Sequence, residues 1–537
     1  MVPGRRTLAL LLLAAAAALA QARPADEDEL GRQMHPFTPR RTGLRTYAST
    51  VSTSVESRAP YWTLRAQQRL LKGLLADRVR RPAKNVIMFL GDGMSIATLT
   101  AARVLLGQRQ GLSGEEAQLS FEQFPNAGLS KTYCVDAQVG DSACTSTAYL
   151  CGVKANTGTM GVTAAVTRGD CSAQNNTANH VDSIIKWAQD AGKATGIVTT
   201  VTVTHASPGG GYAHIADRNW ESDADVIASG GDPAICPDIA DQLVNGNPGR
   251  NMKVILGGGR KMFLPNTTVD EEGASGRRWD SRNLISEWLD NKSDRGATAS
   301  YVWNRDQLLA VDTERTDYLL GLFESSYMQY HLDADNATEP RLKELTEVAI
   351  KMLEKNRNGY FLFVEGGKID VAHHSTLAHK ALDEAIELSE AVRVAHRLTD
   401  ERDTLIVVTA DHAHTMSLSG YAPRGSDIFG FAGSDLSSLP YHTLGYANGP
   451  QPYLQTTEDG SRRNLAEANI GDKEYEFPSM VPLYMETHGG DDVAVLSRGP
   501  WSHLLTGVFE QNYIPHVMAY AACVGNGLTA CHRNNHD

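Results

Sequence analysis

Four short, almost unbroken apolar runs, each stopped by a glycine or a carboxylate, leave this chain few folds to choose from. Asn85–Leu90 stops at Gly91-Asp92-Gly93 and Met252–Leu256 at Gly257-Gly258-Gly259. Tyr360–Val364 stops at Glu365-Gly366-Gly367 and Thr404–Ala410 at Asp411-His412. A fifth run, Ala194–Thr200, follows a helix-like stretch at Val181–Ala191, and helical patterns at Pro340–Lys355 and Thr376–Leu398 separate the later runs. A strand that is apolar on both sides must be covered on both faces. Such strands alternating with helices build a large, mostly parallel sheet between two helical layers. The expected fold is therefore an α/β three-layer sandwich.

In open α/β sheets, ligand sites lie beyond the carboxyl ends of the strands. Asp92, Glu365, Asp411 and His412 all fall just past a predicted strand, so distant segments deliver carboxylates and an imidazole to one edge. Asp370 and His374 are four apart and share a helix face. A carboxylate and an imidazole so placed suit Zn²⁺, while Glu365, on the loop before them, can serve a different ion. His414 reads as an outer partner that hydrogen-bonds a ligand or the substrate. His488 sits beside Gly489 and Gly490, which let backbone approach closely. Asp92, held between glycines, can bridge two cations. Ser207 adds a hydroxyl, and hydroxyl with carboxylates suits Mg²⁺ better than Zn²⁺.

Ser142, in Gly140-Asp141-Ser142-Ala143-Cys144, is the candidate nucleophile. The small residues after it predict a helix start, whose free N–H groups favour an anion. The G-x-S-x-G elbow of serine hydrolases is absent, so a metal takes the place of a His–Asp pair in activating the hydroxyl. Cys144 is a rival nucleophile on generic grounds. Arg218 offers a guanidinium fork for two phosphate oxygens. The three glycines at 257–259 lack the full Walker or dinucleotide pattern and read as a tight turn.

The first residues carry the marks of a secretory signal over 1–22: Arg5 and Arg6, the apolar run Leu8–Ala20, and A-x-A sites ending at Ala20 and Ala22. Residues 23–59 read as a loosely structured arm and Tyr61–Arg80 as an amphipathic helix that packs on its own core or on a partner subunit. Residues 527–537 are polar, where a lipid-anchor signal would end in an apolar tail. No later segment reads as a membrane span, and the expectation is a secreted product. A net charge of −13 argues against nonspecific nucleic-acid binding. Seven cysteines fit an oxidising compartment with at least one thiol left over. Cys523 and Cys531 are close enough to clip the chain end, and Cys171 and Cys236 can bridge a longer loop. Asn175, Asn266, Asn291 and Asn336 head N-x-[ST] sequons for glycosylation. Residues 420–484, rich in Gly, Ser, Pro and Tyr, break the strand–helix rhythm and look like an insertion.

Taken together these stretches resemble the animal alkaline phosphatases from about Asn85 to Cys531. The resemblance rests on Asp141-Ser142-Ala143 with Thr147–Lys154, His205-Ala206-Ser207-Pro208, Glu365-Gly366-Gly367, Thr409–His412 and Glu486-Thr487-His488. It implies a phosphatase domain over 60–535 with a crown-like insertion at 420–484, a homodimer, and phosphate monoesters as substrates. It assigns Asp370, His374 and His488 to a first zinc, and Asp92, Asp411 and His412, with Ser142, to a second. Asp92, Ser207 and Glu365 go to magnesium, with His205 behind them, and Arg218 clamps phosphate. It also implies a calcium ion near Phe323, Glu324, Glu339 and Glu271. Val371 departs from the family, many of whose animal members have histidine there. Two rival readings remain: a sulfatase or phosphodiesterase of the same architecture, and a noncatalytic surface binding protein on this scaffold.

Overall fold

The computed structural model describes residues 53–75, 78–450, 457 and 460–531. The signal-like run and nearly all of the expected arm lie outside the described residues. Ten strands form the central sheet: β1 (Asn85–Gly91), β2 (Asn126–Lys131), β3 (Ala194–Thr202), β4 (Val254–Gly258), β5 (Ala299–Val302), β6 (Tyr318–Leu322), β7 (Tyr360–Gly366), β8 (Thr404–Thr409), β9 (Val493–Arg498) and β10 (Gly507–Glu510). Their order is β10-β2-β9-β8-β1-β7-β3-β4-β6-β5. Only β9 runs antiparallel to its neighbours, β2 and β8.

Successive residues of the central strands feed two separate cores. Val86, Met88 and Leu90 join Phe361, Phe363, Leu405 and Val407 on one face. Ile87 and Phe89 join Leu362, Val364, Ile406 and Val408 on the other. The first core is closed by helices α4 (Ile184–Asp190) and α8 (Tyr513–Ala522). The second is closed by α2 (Ile96–Arg109), α5 (Leu342–Leu353) and α7 (Ala378–Leu398). Each large apolar side chain buried this way contributes roughly 1.5–3 kcal/mol. With both faces apolar, polarity does not set the strand register as it would in a half-exposed sheet. The polar strand ends do mark it: Leu90 lies opposite Glu365 on one side and Thr409 on the other. Asp92, Glu365 and Asp411 thereby reach the same edge.

Past β8 the chain builds small separate sheets. Met416–Leu418, Leu444–Gly449 and Ser479–Pro482 form one, and Phe431–Ser434 with Pro440–His442 another. Among the described residues, no helix is long and apolar enough to cross a membrane.

Several expectations change. The N-terminal helix, α1, spans Ala59–Leu74 and stops short of Arg80. The Val79 carbonyl instead accepts the Trp501 N–H at 2.9 Å, so it serves a tertiary contact and not a helix. Glu365 lies inside β7 and not on a following loop. The disulfides are Cys171–Cys236, Cys523–Cys531 and also Cys134–Cys144, leaving Cys151 as a buried free thiol. A bonded sulfur is no nucleophile, which removes Cys144 as a rival to Ser142. The sequon residues Asn175, Asn266 and Asn336 are exposed, while Asn291 is half-buried.

Candidate metal centre

The nucleophile candidate opens a short helix, α3 (Ser142–Ser146), that continues as a π-helical turn over Thr147–Cys151. Asp141 caps it. One Asp141 oxygen accepts the N–H groups of Cys144 (3.2 Å) and Gly158 (3.0 Å), and the other accepts Arg218 Nη1 at 3.1 Å. Burial alone would raise the Asp141 pKa, but Arg218 and these donors pull it below the usual carboxylate range. Asp141 thus stays charged and fixes the arginine beside the serine. The second Arg218 nitrogen, Nη2, stands 3.3 Å from His205 Nε2.

Helix α6 (Lys368–His374) brings Asp370 and His374 together, with His374 Nε2 3.4 Å from Asp370 Oδ2. His488 Nε2 lies 3.5 Å from the other Asp370 oxygen and 3.2 Å from His374 Nε2. The tautomers follow from the far side of each ring. His374 Nδ1 faces the Glu486 carbonyl at 2.6 Å and His488 Nδ1 the Gly140 carbonyl at 2.9 Å, so each Nδ1 carries the proton. Two Nε2 lone pairs and a carboxylate therefore converge with no hydrogen between them. His373, next to His374, turns away to Thr98 and Tyr446.

The same conflict recurs at His412. Its Nδ1 faces the Ala413 carbonyl at 3.2 Å, and burial holds its pKa down to about 3. The bare Nε2 then points at Asp411 Oδ2 (3.2 Å), Asp92 Oδ1 (3.5 Å) and Ser142 Oγ (3.2 Å). Asp411 Oδ1 is satisfied by the N–H groups of Gly93 and His412, both at 3.0 Å. Gly93 has φ +65, and a Cβ there would strike the His414 ring at 2.4 Å. Only glycine allows this approach.

A third group is mostly oxygen. Ser207 Oγ lies 3.3 Å from Asp92 Oδ2, and Thr199 donates to Glu365 Oε2 at 2.6 Å. His205 stands close to Asp92 and Glu365.

These donors fit bound cations on two grounds. Asp92 Oδ1, Asp411 Oδ2, Glu365 Oε1 and His205 Nδ1 are buried with no hydrogen-bond partner, although buried polar atoms nearly always have one. Burial and mutual repulsion also raise the carboxyl pKa values: Asp92 well above the usual range, Asp411 upward, and Glu365 to about 7. The pocket is short of positive charge. The nitrogen-rich groups suit zinc, and the oxygen-rich group suits a harder ion such as magnesium.

His414 carries a charge of its own. Burial would neutralise it, but hydrogen bonds to Asp370 (2.6 Å to Nε2) and Glu486 (to Nδ1) raise its pKa to about 9. Glu486 is 1% exposed and also accepts the N–H and hydroxyl of Thr415. His414 thus steadies Asp370 from behind. Sequence reasoning quoted Asp141 and Glu486 within its motifs but gave them no role, although Asp141 adjoins Ser142 and Glu486 stands two positions before His488.

Away from this edge, Gln329 bridges Glu324 (2.7 Å) and Glu339 (3.0 Å). Burial raises the Glu339 carboxyl to about 8, with Glu324 and Glu272 adding to the effect. Glu271 and Glu272 both meet the Arg260 guanidinium, at 3.6 Å from Nε and 3.0 Å from Nη2. The Phe323 side chain is packed in the core.

A buried serine among metal-capable side chains, at the carboxyl edge of a parallel sheet, defines a metal-dependent hydrolase of the α/β class. Residues 83–524 match the family model described as alkaline phosphatase, and the chain belongs to the alkaline phosphatase family. It is 52% identical over 501 residues to a membrane-bound alkaline phosphatase of Bombyx mori, covering 92% of this chain and 91% of that protein. It is 48% identical over 483 residues to the human tissue-nonspecific isozyme, covering 88% of this chain and 90% of that protein. Among solved structures, the Thermus thermophilus alkaline phosphatase shares the fold, with a TM-score of 0.59 at 22% identity, covering 84% of this chain and 94% of that one.

Outer partners of metal ligands typically govern affinity by about 10–100-fold. Glu486→Gln removes one of the two carboxylates that hold His414. Chelator-competition titration should show metal retention weakened by about that factor; unchanged retention would contradict this role for Glu486.

Proposed function

We propose that this chain hydrolyses phosphate monoesters by forming, and then breaking, a phosphoserine at Ser142. The observation that carries the reading is Ser142 Oγ set 3.2 Å from the His412 lone pair, beside a guanidinium held by Asp141. The proposed metal sets are Asp370, His374 and His488 for one zinc, Asp92, Asp411 and His412 for a second, and Asp92, Ser207 and Glu365 for magnesium. Bound there, the ions would supply Lewis acidity at the serine and leaving oxygens and offset the charge of the buried carboxylates.

Arg218 receives the phosphate with N–H groups that Asp141 has already oriented, so little ordering is needed on binding. Ser142 Oγ forms a bond to phosphorus and loses its proton as the bond to the ester oxygen breaks and the alcohol departs. Water then attacks phosphorus from the opposite side, the P–Oγ bond breaks, and Ser142 regains a proton. His205 borders both Arg218 and the oxygen-rich group, and His414 keeps Asp370 in place. The scheme grips phosphate and not the alcohol, which fits a broad range of monoesters.

Three further expectations belong to the same reading. The chain is secreted, as its first residues suggest. A calcium ion takes Glu324 and Glu339, with Phe323 alongside and Glu271 as the further carboxylate. The chain also pairs as a homodimer through α1, which buries none of its own residues and exposes Trp62, Leu64, Leu70, Leu71 and Leu74. Sedimentation of a chain lacking residues 59–75 should show a shift toward monomer, and an unchanged dimer would remove α1 from the interface.

Ser142→Ala should abolish trapping of a phosphoenzyme at acid quench and cut turnover of an aryl phosphate by at least ~10³-fold, by analogy with lost nucleophiles elsewhere. Near-normal turnover would refute the covalent scheme. Faster turnover of an aryl sulfate or a phosphodiester than of the monoester would favour the rival enzymes, and no turnover by the metal-loaded protein would favour a binding protein.

A further inference from the structure

The three glycines at 257–259 do more than turn the chain after β4. They seat the loop that follows β6. The Gly259 N–H donates to the Ser326 carbonyl at 2.7 Å, and the Met328 N–H donates to the Thr200 carbonyl of β3 at 3.1 Å. A Cβ on Gly258 would meet the Ser326 carbonyl oxygen at 2.1 Å, so only glycine lets the loop come this close. Tyr327, between the two anchored residues, is thereby fixed at the edge of the metal centre. Burial raises the pKa of its phenol, and the charges of Glu221, Arg218, Asp370 and Asp92 act on it as well. The last three belong to that centre.

The Tyr327 ring meets the His205 imidazole edge-on, with centroids 5.6 Å apart and planes at 85°. Aromatic pairs prefer this geometry. His205 needs such a contact. A guanidinium can only donate, so Arg218 Nη2, 3.3 Å away, meets a bare Nε2, and the ring proton sits on Nδ1. That Nδ1 is buried with no partner. One long hydrogen bond thus governs an imidazole that stands between Arg218 and the oxygen-rich group, and it leaves the ring free to tilt. Packing has to set the tilt. The Tyr327 hydroxyl makes no hydrogen bond among the described residues, so the ring is the part that acts.

We infer that Tyr327 is a positioning residue for phosphate capture. Its ring holds His205 in the orientation that accepts Arg218 Nη2. With Asp141 on Nη1, both ends of the guanidinium are then fixed before phosphate arrives. The inference rests on Arg218 being the phosphate clamp, and it gives the glycine turn at 257–259 its purpose as the seat of Tyr327.

The test is calorimetric binding of inorganic phosphate to the full-length, metal-loaded protein. Tyr327→Leu removes the ring and keeps apolar bulk. It should weaken phosphate roughly tenfold, the upper worth of one aromatic pair, while zinc content and thermal midpoint hold. Tyr327→Phe keeps the ring and should bind phosphate as the parent does. In a His205→Ala background, Tyr327→Leu should cause no further loss, because the two residues act as a unit. Unchanged affinity in Tyr327→Leu overturns the inference, and equal loss in Tyr327→Phe overturns the role of the ring. A full further loss in the His205→Ala background overturns the route through His205. Loss of zinc or of the thermal midpoint alongside phosphate reduces Tyr327 to a structural residue. Should Tyr327→Leu fail to fold, Tyr327→Gln carries the same test. Phosphate is read here without turnover, so a failed phosphoserine scheme leaves these results interpretable; a parent protein that binds no phosphate refutes the clamp and the inference with it.

Discussion

The structure turns on a conflict among lone pairs. At one edge of the sheet, three imidazole Nε2 atoms and the oxygens of Asp92, Asp370 and Asp411 face one another with no hydrogen between them. Carbonyls of Glu486, Gly140 and Ala413 hold the ring protons on the far sides and so enforce the arrangement. Left alone, such a set would have to take up protons or spread apart. Cations resolve it, and the nature of the donors sorts zinc-type from magnesium-type positions. The fold makes the arrangement possible, since two separate cores clamp the central strands from both faces.

Around that conflict, charged partners divide the work. Asp141 holds Arg218 as a cation beside Ser142, and Glu486 holds His414 as a cation behind Asp370. In the proposed function one pair faces the phosphate and the other supports a metal ligand. Neither pair sits at the surface, where an ion pair would contribute only ~0–1 kcal/mol. Removing one partner here leaves a buried charge unpaired, which costs roughly 3–5 kcal/mol. The Cys134–Cys144 disulfide ties the loop before α3 to α3 itself, two residues beyond Ser142.

Much of this was legible in the sequence because a parallel sheet has a simple grammar. Apolar runs mark strands, and polar residues just past them mark the edge where ligands gather. Asp92, Asp411 and His412 could be read in that way, as could the helical pairing of Asp370 with His374. Other features depend on tertiary proximity, which has no local pattern. Glu486 reaches His414 across 72 positions in the sequence. Glu271 and Glu272 are neighbours of the same type, and only the fold shows that both meet Arg260. The end of α1 was misread because Val79 looks helical by composition, yet its carbonyl is claimed by Trp501.

The most direct measurement removes the cations and puts them back. The protein is stripped with a chelator and its metal content recorded. Aryl phosphate turnover and thermal midpoint are then followed as zinc and magnesium are restored. A ligand at a thousand times its dissociation constant stabilises the native state by about 4 kcal/mol, so occupancy should raise the midpoint visibly. The account predicts that turnover and stability fall together on stripping and return only when both ions are supplied. A metal-free protein that keeps its turnover and its melting point would contradict it.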